Sequence, residues 1–140
     1  MIGSPFQSDQ PLIIERSCLM RFHDHAKSAL PHEAAALLTG YDHHITDLVP
    51  IEVMATPETF SLSPQLLLQE LHKICERKQE WIGLIHSHPT MPPIPSSADT
   101  TGWHYPMLSY WILSLAAEPA EVALYRWIEN SWRNYPYEVK

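Results

Sequence analysis

Apolar positions recur along this chain with two different periods, and the change of period divides it into elements. In residues 11–15, PLIIE, a β-branched pair between proline and glutamate predicts a short first strand. From residue 16 the spacing changes. Cys18, Leu19, Phe22, Ala26 and Leu30 fall three and four apart, which predicts a helix with one buried face. Pro31 ends that helix, because the residue before a proline is pushed out of the helical region. Residues 33–40, EAAALLTG, are ambiguous by propensity: alanine and leucine favour helix, but a Gly-Tyr-Asp turn cuts the run short. They are read as a buried strand, with residues 44–54 as the following strand. Residues 63–78 carry the clearest helical signal. Ser63 suits the N-cap, Pro64 the first helical position, and Leu67, Leu71, Ile74 and Cys75 form the inner stripe. Residues 80–88, 109–116 and 121–129 read as further strands, the last two joined by a hairpin through AEPA. Strands and helices mix without strict alternation, which predicts an α/β or α+β domain around one sheet.

Composition narrows the class. At 140 residues the chain suits one domain spanning 1–140, with residues 1–10 expected as a flexible N-terminal extension. A formal charge of −7, with nine scattered Lys and Arg, argues against a nucleic-acid partner, since phosphate binding needs clustered positive charge. Cys18 and Cys75 lie far apart in helix-like apolar contexts, so both are expected as reduced core residues. No basic-then-apolar leader opens the chain, and no apolar run approaches the roughly 20 residues of a membrane span. The expected setting is therefore cytoplasmic, with no membrane partner.

The chemistry concentrates in GLIHSHPTMPPIPSSAD, residues 83–99. In a strand, residues two apart share a face, so His86 and His88 project together while Ser87 points away. Two imidazoles so placed can hold one first-row metal ion. Prolines 89, 92, 93 and 95 restrict the path of the next segment, which limits the entropy lost in bringing back a third ligand. Ser96 is a helix N-cap candidate, and the first turn it opens would carry Asp99. Two histidines and one aspartate leave a fourth tetrahedral position for water, the layout of a catalytic rather than a structural zinc. A hydrolase would then need a general base able to pass the water's proton to the leaving amine.

The spacing His86-Ser87-His88-Pro89, then residues 89–95, then Ser96-Ser97-Ala98-Asp99, fits H-x-H-x7-S-x-x-D. That pattern resembles the JAMM motif of MPN-domain metallopeptidases. Upstream, PHEAAALLTG resembles the family's P-x-E-x-x-x-L-L-x-G segment, which holds its catalytic glutamate. The resemblance runs from about residue 12 to 132. It implies a single MPN domain, similar in fold to cytidine deaminases, with a central mixed sheet flanked by helices, and it settles residues 33–40 as a strand. It further implies that His86, His88 and Asp99 bind one Zn2+ with water as fourth ligand, that Glu33 is the general base, and that Ser96 donates to the oxyanion. By the same resemblance the substrate is a peptide or isopeptide bond at the C-terminal tail of a ubiquitin-like or sulfur-carrier protein. The compact chain fits the small prokaryotic type. The alternative is an MPN scaffold or binding module that retains a metal site. One departure stands out: Glu52 or a neighbour, within residues 49–60, stands where relatives often carry asparagine.

Other histidines give blander readings. His23 and His25 lie in a helical stretch, where residues two apart diverge around the axis, and His43-His44 is read as a surface pair. Trp103, Tyr105, Tyr110 and Trp111 are expected in the core more than on a binding surface. The metallo-β-lactamase pattern H-x-H-x-D-H is not met, since Pro89, Thr90 and Met91 follow His88.

Overall fold

The computed structural model describes residues 1–55 and 60–140. In chain order the elements are β1 (Leu12–Ile14), α1 (Arg16–Ala29), β2 (Ala35–Tyr41), β3 (His44–Ile51), β4 (Val53–Ala55), β5 (Phe60–Leu62), α2 (Pro64–Glu76), β6 (Glu80–His88), α3 (Ser97–Gly102), β7 (Ser109–Ser114), β8 (Glu121–Ile128), β9 (Ser131–Asn134) and β10 (Tyr137–Val139). Eight strands form one sheet in the order β10-β1-β3-β2-β6-β7-β8-β9, while β4 and β5 pair separately. β6 runs parallel to β7, and β1 runs parallel to β3 and β10. The remaining neighbours are antiparallel, so the sheet is mixed, as expected.

The two faces of the sheet bury separate cores because side chains alternate along each strand. On one face, Cys18, Phe22 and Ala26 of α1 pack with Ala36 and Leu38 of β2 and with Trp111 and Leu113 of β7. On the other, Leu67 and Ile74 of α2 pack with Leu37, Leu84, Tyr110 and Ile112. Each fully buried Leu or Ile contributes roughly 1.5–3 kcal/mol. β6 and β7 sit inside the sheet and are buried along nearly their whole length, which explains their unbroken apolar runs. Trp103, Tyr105 and Tyr110 of the aromatic segment complete the second core, with Trp103 and Trp81 edge to face at 6.5 Å, while Trp111 faces the first.

Several expectations need correction. Cys18 is buried as expected, and burial together with Asp47 pushes its thiol up to about 11. Cys75 is exposed: it follows Ile74 by about 100° around α2, which carries it off the inner face. Ser63 occupies the N-cap of α2 without a side-chain capping bond. The strand expected over residues 44–54 divides at Glu52, where the chain leaves the large sheet for the β4–β5 pair. Pro50 is tolerated in β3 because β1 pairs only with His44 and Ile45, leaving the missing amide without a required partner. Of the segment 49–60 that departs from the family pattern, residues 56–59 lie outside the described residues. The N-terminal residues are docked on the sheet rather than extended from it. The Trp81 amide donates to the Met1 carbonyl at 2.8 Å and the Gly3 amide to the Trp81 carbonyl at 2.9 Å. Phe6 is buried against Tyr135, ring centroids 4.7 Å apart, with the Arg126 guanidinium 4.5 Å from its own centroid.

Candidate metal centre

β6 is a buried strand whose last residues reach the sheet's edge of solvent with their alternation intact. His86 and His88 therefore share the α2/α3 side, and both rings are buried. The proline-bearing loop after β6 returns the chain to this point and starts α3 there. Ser96 is the N-cap of α3: the Asp99 amide donates to Ser96 Oγ at 3.2 Å, and the Ser96 amide donates to Asp99 Oδ2 at 2.7 Å. This reciprocal capping box fixes the carboxylate beside the imidazoles.

Three side chains then meet. His86 Nε2 lies 3.1 Å from His88 Nε2 and 2.9 Å from Asp99 Oδ1, and His88 Nε2 lies 3.3 Å from Asp99 Oδ2. A tetrahedral ion with bonds of 2.0–2.1 Å requires donors about 3.3 Å apart, so the triangle has the size of one face of a zinc site. The donor chemistry agrees: nitrogen and oxygen ligands, with both cysteines on other elements. The tautomer of His88 follows from its partner. Its Nδ1 is 2.9 Å from the Pro92 carbonyl, which can only accept, so Nδ1 carries a hydrogen and Nε2 is the nitrogen that would give up its own hydrogen to ligate an ion.

Charge is concentrated here. Burial alone would raise the Asp99 carboxyl, but hydrogen bonds from His86 and His88, the His86 charge and the Ser96 amide hold it well below the ordinary carboxylate range. Burial works to lower His88, and the Asp99 hydrogen bond, the Pro92 carbonyl and the charges of Asp99 and Glu33 more than offset it, leaving it raised. Tyr110, fully buried, donates from its hydroxyl to Asp99 Oδ1 at 2.9 Å. Burial and the Asp99 charge push this phenol far above its usual value, so it stays a donor.

Glu33 arrives from β2. Antiparallel pairing sets Ala35 opposite His86, so two residues earlier Glu33 stands opposite His88, on the same face. Its carboxylate and the two imidazoles form a group whose donor atoms all lie within 4.8 Å of one another. Two carboxylates thus flank the histidines. Asp99 is buried and within 3.3 Å of both rings, whereas Glu33 is exposed, at the solvent side. A groove of about 820 Å³ opens over this side. Glu33, His88 and Ser96 lie on it, and Leu30, Pro31, Met91 and Ile94 give it apolar walls.

All five residues singled out in the sequence thus come to one place: His86, His88 and Asp99 in the triangle, Glu33 and Ser96 on the groove above it. His23 and His25 lie on α1, across the sheet. Sequence reasoning did not find Tyr110, whose apolar neighbours mark only a core strand, nor the Pro92 carbonyl, which has no side-chain signal. It treated Ser87 only as the residue that points away.

A mixed-sheet α/β domain with a His-His-carboxylate cluster at a strand end defines a protein of the JAB/MPN class. A family profile described as prokaryotic homologs of the JAB domain matches residues 15–135, and the chain belongs to that family. Among solved structures, a protein of Desulfitobacterium hafniense is 27% identical with a TM-score of 0.82, covering 92% of each chain. A JAB1/MPN domain protein from Archaeoglobus fulgidus is 22% identical with a TM-score of 0.61, over 91% of this chain and 98% of that one. A third, described as JAMM, a metalloprotease-like zinc site in the proteasome and signalosome, is 21% identical with a TM-score of 0.57, over 94% and 99%. The last two show the shared fold. No curated protein sequence matches the chain. Among the described residues, no helix is long and apolar enough to cross a membrane.

Proposed function

We propose that this protein is a zinc-dependent hydrolase of peptide or isopeptide bonds, acting at the C-terminal tail of a ubiquitin-like or sulfur-carrier protein. The observation that carries this reading is the donor triangle of His86, His88 and Asp99 with the Glu33 carboxylate beside it at the mouth of a groove. When bound, zinc supplies a polarised water whose pKa is brought toward neutrality. Glu33 takes the water's proton and delivers it to the departing nitrogen, a role that needs a carboxylate open to solvent and close to the triangle. Ser96 Oγ already accepts from the Asp99 amide, which leaves its hydrogen free to donate to the oxyanion that develops at the scissile carbonyl. The tail assignment is supported by family membership and by a groove whose walls suit an extended, uncharged segment.

The test is metal analysis joined to cleavage of carrier proteins carrying an amide-linked extension after a Gly-Gly tail. The purified protein should hold one zinc per chain and lose hydrolysis to a chelator. Glu33→Gln should keep the zinc and lower kcat by about 10²–10⁴-fold. Stoichiometric zinc without hydrolysis of any such adduct would instead favour a scaffold that retains its metal.

A further inference from the structure

Ser87, between the two histidines, projects to the opposite face of β6 and is fully buried. The ladder between β2 and β6 sets it opposite Ala34, the residue that follows Glu33. The Ser87 amide donates to the Ala34 carbonyl at 2.9 Å, as a regular antiparallel pair requires. In that pair the Ala34 amide would return a bond to the Ser87 carbonyl. It donates at 2.8 Å to the Ser87 hydroxyl oxygen. The regular strand accordingly begins only at Ala35, and Glu33 lies just outside it.

This substitution of side chain for backbone has a geometric consequence. Just before β2 the chain is held to β6 by one backbone bond and one serine side chain, so the backbone carrying Glu33 need not follow the regular ladder spacing. Glu33 is itself exposed, while Ala34 is buried in the α1-side core. Both hydrogen bonds that hold the Ala34 backbone next to Glu33 are thus made with Ser87, on the strand that carries His86 and His88. We infer that Ser87 is a positioning residue: its hydroxyl, by accepting from the Ala34 amide, sets the height of the Glu33 carboxylate over the histidine pair. Through Ser87 one three-residue stretch, His86-Ser87-His88, holds the metal donors on one face and places the base from the other. The inference rests on the metallopeptidase reading of Glu33.

Ser87→Ala removes the acceptor, and Ser87→Cys keeps nearly the same shape with a far weaker one, while Ser87→Thr retains the hydroxyl. With the same carrier-protein adducts as substrate, Ala and Cys should each lower kcat by about 10–100-fold with KM within twofold. Zinc affinity, read by competition with a chromophoric chelator, should stay within twofold, because the Nε2 donors are untouched. Hydrogen exchange at the Ala34 amide, measured by NMR on the zinc-loaded protein, should quicken at least about tenfold, with core amides of β7 unchanged. Ser87→Thr should restore both readouts. Wild-type exchange at Ala34 in the Ala and Cys variants would overturn the assignment, as would full kcat, or a loss of zinc affinity that accounts for the loss of rate. Absence of turnover in the zinc-loaded wild type would instead overturn the reading of Glu33 as base, a result separate from any effect of Ser87.

Discussion

At the scale of single residues, the centre is governed by what surrounds its carboxylate. Asp99 receives the Tyr110 hydroxyl, the Ser96 amide and the two imidazoles, so each oxygen is oriented before any ion arrives. Tyr110 is the partner that can be removed cleanly. Its ring stacks on Trp132 at 4.7 Å and contacts Trp103 at 4.9 Å, packing that phenylalanine would keep. Tyr110→Phe should therefore fold normally yet bind zinc about 10–100-fold more weakly, since only the oriented hydrogen bond is lost. Chelator competition gives that ratio directly; unchanged affinity would mean that the capping box alone holds Asp99. The difference between what sequence showed and what it hid lies in this same shell. The meeting of His86, His88 and Asp99 was legible because strand alternation and a capped helix start fix where such spacings bring side chains. Tyr110 was not, because its hydroxyl meets Asp99 only through the packing of α3 on β7, and nothing in SYWILS separates a core tyrosine from a supporting one.

At the scale of elements, β6 does two tasks whose demands differ: it must pack on both faces and end in two histidines aligned to one side. That alignment depends on its register against β7, which is set at Gly83 opposite Ser109. A Cβ on Gly83 would run into the Ser109 hydroxyl and carbonyl. The hydroxyl cannot simply turn aside, because it donates to the Ile82 carbonyl and accepts from Trp111 Nε1, both at 2.9 Å. Gly83→Ala should therefore part the two central strands and destabilise the fold by about 1–3 kcal/mol, the usual cost of overpacking. Urea unfolding measures it, and a midpoint equal to the wild type would show that β6 and β7 have slack at this pair. β6, α1 and α2 were legible because periodicity reports burial directly. β2 was not: alanine and leucine leave strand and helix nearly balanced, and the balance is tipped by neighbours on both sides, β3 and β6, that lie far along the chain. Ser63 stands at the N-cap as expected but makes no side-chain capping bond, since a suitable cap residue still needs a local geometry that composition does not report.

At the scale of the whole molecule, the ends of the chain complete the sheet. β10 joins β1 in parallel, and the Arg16 amide donates to the Lys140 carbonyl at 2.7 Å, so the last residues cap the start of α1. Neither β9 nor β10 carries a periodic signal, being only four and three residues long, and their pairing is decided by the sheet already formed. The docked N-terminus is hidden in the same way: Phe6 stands among polar residues with no periodic signal, and contacts with Tyr135 and Arg126 from far along the chain help bury it. This docking is a stability device placed far from the chemistry. It binds β6 at Trp81, and five residues of strand, about 16 Å at roughly 3.3 Å each, separate Trp81 from His86. Phe6→Ala should then cost about 3 kcal/mol, through lost burial and the cavity left beneath Arg126 and Tyr135. The same variant should bind zinc as the wild type does, because nothing between Trp81 and His86 changes register. Urea unfolding of the metal-free protein and chelator competition on the folded protein separate the two effects. Stability equal to the wild type would mean that the N-terminal segment is not held at Phe6. A parallel loss of zinc affinity would show that β6 transmits the disturbance along its length, and the sheet would then have to be treated as one unit with its metal centre.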